Sequence, residues 1–146
     1  MRPSTCALLV ALLVLGCGQS QSSNLVPVAG TVTLDGQPLG NATLFFMPQG
    51  ETKGNGGGGT TDAAGKYQAN SVRGEKGLHP GSYKVTVSRR LMPDGKPPPP
   101  DDKPMESPAR ESLPGQYSDQ GQTTLTANVA AGGGPIDFAL KSAPRR

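Results

Sequence analysis

The sequence has no tryptophan, a single histidine, two cysteines and only 4% aromatic residues in a chain of 146. Few aromatics leave few large anchors for a core or for a sugar-stacking platform. One imidazole excludes a histidine metal cage within one chain. Charged residues make up 17%, below the ~25% of ordinary soluble domains. The net charge of +3 is too small for a nucleic-acid footprint unless it is clustered. Arg89-Arg90 and Arg145-Arg146 are separated pairs without interleaved aromatics, so no nucleic-acid partner is expected. No stretch sustains a helical period, which argues against a coiled coil or a helix bundle. What the chain does have is 21 glycines and 15 prolines, about a quarter of its length. That abundance points to short elements joined by many turns.

The first residues set the compartment. Arg2 gives a positive start, and Cys6 to Leu15 is an unbroken apolar run. Ten residues of helix rise ~15 Å, half of a ~30 Å hydrocarbon core, so the run fits a secretory signal and not a span. Val14-Leu15-Gly16-Cys17 resembles the bacterial lipobox: two aliphatic residues, a small one and an obligatory cysteine. The resemblance implies cleavage of a signal peptide, residues 1–16, and transfer of diacylglycerol to the Cys17 sulfur. Val14 stands where leucine is commoner. Residue 18 is Gly, and the absence of the aspartate that marks inner-membrane retention favours the outer membrane. Several acyl chains on one residue anchor a protein far more firmly than one. Cys6 leaves with the signal and Cys17 carries lipid, so the mature chain has no disulfide, no thiolate metal site and no cysteine nucleophile. Residues 17–26 then read as the lipidated N-terminus and a flexible linker, whose residues 18–25 reach ~15 Å.

From residue 27 to 141 short alternating strands follow one another. Val28, Val32 and Leu34 alternate with Thr31 and Thr33, and Asp35-Gly36 is a strong hairpin signal. Residues 42–47 are apolar on both faces, which suits a central strand. Residues 49–59, with five glycines in 54–59, read as a flexible hairpin loop. They lack the Gly-Lys-Ser/Thr ending of a phosphate cradle. Asp62 is placed to bond the backbone two residues on, Gly65 to supply the positive φ that closes its turn, and Pro80-Gly81 to turn the chain before Tyr83, Val85 and Val87. Residues 89–116 carry eight prolines and are expected to be an extended, disordered and mobile insertion. Order is expected to resume at Leu125, and residues 142–146 form a C-terminal tail. Six or seven short strands with turn signals between them make an all-β fold, a sandwich or a barrel.

Several of these pieces occur in a familiar order: Gly30-Thr31-Val32, Asp35-Gly36-Gln37-Pro38-Leu39, Asn41-Ala42-Thr43-Leu44, Thr61-Asp62 with Gly65-Lys66-Tyr67, and Leu78 with Pro80-Gly81-Ser82-Tyr83-Lys84-Val85. Together they resemble the carboxypeptidase regulatory-like domain, over roughly residues 28–88. The tail, from Leu113-Pro114 to Asp137-Phe138-Ala139-Leu140, resembles the ending of small bacterial lipoproteins that carry it. The resemblance implies a transthyretin-like (prealbumin-like) Greek-key β-sandwich of about seven strands, used as an accessory or binding module without catalytic residues. The Gly-rich 54–59 and Pro-rich 93–114 stretches depart from the family pattern.

The remaining chemistry is sparse. His79 stands directly before Pro80-Gly81 and reads as turn filler. Asp94, Asp101, Asp102 and Glu106 offer oxygens for calcium, but Lys96 and Lys103 intrude, and the cluster reads as a solvated loop. There is no Gly-x-Ser-x-Gly elbow, and a base paired with a nucleophile is lacking. The sequence therefore points to a protein that is not an enzyme and needs no cofactor or metal. It reads as a membrane-anchored envelope lipoprotein, held through Cys17 and serving as a structural or protein-interaction module for an envelope partner. The alternative is a carbohydrate- or polymer-binding domain, for which Phe45 and Tyr117 are the candidate platforms.

Overall fold

The structure is a computed structural model that describes residues 24–143. Cys17 and the signal segment lie outside the described residues. The fold is an all-β sandwich of two five-stranded sheets with a small two-stranded ribbon at one end.

The first sheet is organised around β1 (Val28–Leu34). Along one edge it pairs antiparallel with β5 (Lys66–Gln68) and β2 (Gln37–Pro38). Along the other it pairs parallel with β11 (Gly134–Pro135) and β12 (Phe138–Leu140) in one continuous register. These two are a single strand interrupted at Asp137, whose Oδ1 accepts the Thr31 N–H at 2.7 Å. The second sheet is antiparallel throughout. It runs β10 (Thr126–Val129), β7 (Gly81–Ser88), β3 (Thr43–Pro48), β4 (Gly57–Thr60), β6 (Asn70–Ser71). β5 and β6 are separated only by Ala69, so this stretch crosses from one sheet to the other and forms a corner of the sandwich. Counting β5–β6 and β11–β12 as continuous paths leaves seven main strands, with β2 and the ribbon as additions.

Alternation in the sequence becomes burial in the core. Val28, Val32, Phe138 and Leu140 face Leu44, Phe46, Val85 and Val87 across the sandwich. Phe46 is its centre, with ring centroids 6.1 Å from Tyr67, 6.1 Å from Tyr83 and 6.2 Å from Phe138. Aromatic pairs at such distances stabilise beyond the area they bury. The Tyr67 and Tyr83 hydroxyls donate to the carbonyls of Ile136 (2.6 Å) and His79 (2.8 Å). Burial pushes both phenols above their ordinary pKa. The buried Thr61 hydroxyl donates to the Leu39 carbonyl and accepts the Ala42 N–H, leaving no polar cost uncompensated.

Two expectations are corrected. The glycine run 57–59 is not a flexible loop. It is strand β4, between β3 and β6. A Cβ on Gly57 or Gly58 would strike the Asn70 or Leu44 carbonyl, so only glycine lets the three backbones approach this closely. The Pro-rich stretch is not free from 89 to 116. Its roots pair as β8 (Arg90–Leu91) with β9 (Arg110–Glu111), and a single turn of helix follows at α1 (Gly115–Ser118). Leu113 and Tyr117 are buried in the main core, so order resumes about a dozen residues before Leu125. Chain polarity places Asp35-Gly36, residues 61–65 and this ribbon at one end of the sandwich. Residues 24–27, 49–56, 71–82 and 130–133 lie at the other.

Candidate functional site

The turn residues singled out in the sequence separate into two groups. Gly36 (φ 82°) follows Asp35 (φ 51°) in the two-residue β1–β2 turn, the double positive φ that Asp-Gly favours. Asp62 Oδ1 accepts the N–H of Ala64 and of Lys66, each at 2.9 Å, and Gly65 (φ 74°) closes that turn. All three belong to the ribbon end. Pro80 and Gly81 (φ 147°) lie at the opposite end, where β7 begins.

That opposite end carries a groove of about 410 Å³. It forms where three separate segments meet: the loop Gly54-Asn55-Gly56, the turn from Ser71 to Glu75, and His79 with Tyr83. Each is positioned by a pairing nearby. Asn70 bridges Lys76, Ser71 accepts through its backbone from Gly74 (2.8 Å), and Val72 donates to the Gly56 carbonyl (3.2 Å). Gly54 lies against the edge of the His79 ring, where a Cβ would approach Cδ2 to 2.5 Å. The His79 backbone is fixed in turn by the Tyr83 hydroxyl. Leu25 lines the groove, and the next residue, Val26, exchanges two backbone hydrogen bonds with Leu78 (2.8 and 3.0 Å). A second, shallower hollow of about 570 Å³ adjoins it around Thr52 and Pro80. There the Thr52 hydroxyl accepts the Ser82 N–H and donates to the Ser82 carbonyl.

His79 is thus brought into a surface groove, beside Arg73 and Glu75. Its ring makes no hydrogen bond to another described residue, and no hydroxyl is oriented by it as a nucleophile would be. Asp94, Asp101, Asp102 and Glu106 are not gathered. Asp94 meets Lys96 at 3.7 Å and Glu106 meets Lys103 at 3.9 Å, all well exposed. Among the described residues no three His, Cys, Asp or Glu side chains are grouped as a metal ion requires.

The two candidate stacking platforms part company. Tyr117 is only 9% exposed, and its hydroxyl accepts the Lys141 N–H at 3.2 Å, so it is unavailable to a sugar. Phe45 is 41% exposed on the outer face of β3, between Gly58 and Thr86. Sequence reasoning missed Val72 and Arg73, because the groove joins three stretches that share no periodicity. The one available signal was the charged turn Arg73-Gly74-Glu75-Lys76 beside a glycine-rich strand.

No family model matches the chain, and no curated protein or solved structure gives a significant match.

Proposed function

We propose that this chain is an exported bacterial lipoprotein, tethered to the outer membrane through lipid on Cys17, whose sandwich is a non-catalytic module that binds an envelope protein partner. The observation that carries this reading is the junction of a lipobox-like Val14-Leu15-Gly16-Cys17 with a sandwich that begins within ten residues of it. A domain so closely tethered acts at the membrane surface. Among the described residues no hydroxyl is hydrogen-bonded to the His79 ring, which supports binding over turnover. In this reading the winding is the Greek key of the carboxypeptidase regulatory-like, transthyretin-like module. The turns at Asp35-Gly36 and Asp62-Gly65 support it, because each has the conformation its residues were read to favour.

Intact mass spectrometry of the membrane fraction tests the tether. A chain starting at Cys17 with added acyl mass is expected, and Cys17→Ser should release the protein from membranes. Crosslinking in intact cells tests the partner, and a result with no reproducible protein would sink that half of the reading. A second reading, binding of a glycan polymer, rests on Phe45 alone. A glycan array that gives no signal, or one unchanged by Phe45→Ala, removes it.

A further inference from the structure

We propose that the groove formed by residues 54–56, the 71–75 turn and His79 docks on an anionic bilayer and takes up a lipid phosphate. This deepens the reading above and rests on lipidation of Cys17.

The first observation is where the chain enters. Leu25 lines the groove and Val26 is bonded to Leu78 at its rim. Only eight residues, 18–25, separate Cys17 from Val26, and eight residues reach no more than ~29 Å even at full extension. β1 then runs away from this rim for seven residues, about 20 Å at the rise of a strand. An acylated Cys17 therefore keeps the groove end nearer the bilayer than the ribbon end.

The second is charge and donor geometry. Arg73 and His79 line the groove, Lys53 immediately precedes its glycine loop, and Lys76 closes its turn against Asn70. The acidic groups at this end are Glu51 and Glu75; Glu75 also lines the groove and accepts the Ser71 hydroxyl at 3.4 Å, so Lys53, Arg73 and Lys76 outnumber the carboxylates by one. Gly54 (φ 82°) and Gly56 (φ 77°) are left-handed while Asn55 between them is not. Left unpaired in a tight glycine loop, backbone N–H groups can receive an anion. None of the N–H groups of residues 53–56 donates to another described residue. The site suits a single phosphate group; it lacks the lysine and hydroxyl that end a nucleotide loop.

The third is Val72. It is 52% exposed, one of three large hydrophobic residues so placed among the described residues, and it stands at the lip next to Arg73. An apolar side chain flanked by cations matches the boundary between acyl chains and phosphates.

The test uses the lipidated protein in vesicles. Val72→Cys carries an environment-sensitive dye, which is unique because the Cys17 sulfur is blocked by lipid. The same dye on Met105→Cys, 98% exposed in the Pro-rich stretch, serves as reference. Vesicles of phosphatidylcholine are compared with vesicles that also contain phosphatidylglycerol. A blue shift and quenching by brominated lipid are expected for the Val72 position only when phosphatidylglycerol is present. The shift is expected to weaken with salt and to be lost in Arg73→Glu with Lys76→Glu, while the Met105 position stays unshifted throughout. If the Val72 dye behaves like the Met105 dye while the protein still floats with vesicles, the docking is overturned and the tether stands. An equal shift in both vesicle types overturns the phosphate site. Protein that does not float overturns the tether itself, and the docking with it.

Discussion

At the groove end of the sandwich the loops are clipped by hydroxyls: Thr52 to both backbone groups of Ser82, and Ser71 to the N–H groups of Arg73 and Glu75. At the ribbon end carboxylates join hydroxyls such as those of Thr61 and Ser112 in the same work. Asp35 accepts the Ser142 N–H, and Asp62 the N–H groups of Ala64 and Lys66. Glu111 accepts the Ser88 hydroxyl and the N–H groups of Arg89 and Leu113. The contrast shows how one fold keeps two kinds of end. The groove end carries Lys53, Arg73 and Lys76 against Glu51 and Glu75, whereas carboxylates clip turns at the ribbon end.

The largest effect is expected where the ribbon end joins the core. Leu113→Ala should cost about 2–5 kcal/mol in denaturant unfolding, because it empties buried space in the main core; a neutral result would separate the Pro-rich root from the core. Glu111→Ala should cost about 1–2 kcal/mol, since one carboxylate serves three donors. The loss should appear as faster amide exchange in residues 88–91 and 110–113, with the groove end unchanged. Tyr67→Phe removes the bond to Ile136 and should cost about 1 kcal/mol at neutral pH. Desolvation raises the Tyr67 phenol, with Asp137 adding to the rise, so its contribution is complete below the ordinary tyrosine pKa near ~10 and is lost as the pH rises beyond it. Wild-type stability should therefore fall above that pH, and Tyr67→Phe should blunt the fall.

Replacing residues 97–104 by a short Gly-Ser link should change stability by no more than about 0.5 kcal/mol, because the excised residues are largely exposed and the ribbon stays tied at its roots. The most local effect concerns Asp35. Hydrogen bonds from Ser142 hold its carboxyl below the usual aspartate value, so this contact is intact above about 4 and lost as pH falls through the lowered value. The Ser142 amide should lose exchange protection in acid before residues 24–34 do.

The same comparison separates what the sequence discloses from what it hides. Asp35-Gly36 and Asp62-Gly65 were legible because their chemistry closes within four residues. The alternation of β1 and β7 was legible because each buries one face, and the central place of β3 because it is apolar on both. β4 was not, since glycines carry no side chain to alternate and their role is visible only against Leu44 and Asn70. Leu113 and Tyr117 were hidden by the prolines around them, and their burial depends on contacts with distant strands. The groove was hidden for a related reason: its loops meet only after the corner at Ala69 has turned.

The parallel zip of β1 to β11 and β12 joins residues more than a hundred positions apart, Val28 to Gly134 and Val32 to Phe138. One whole edge of the first strand thus waits for nearly the last residues to arrive. A polypeptide threaded N-terminus first through a narrow translocation channel would keep its opening strand half unpaired until transit was almost complete. Closure would then come only on the far side, and until that point the chain would be exposed to chaperones and proteases.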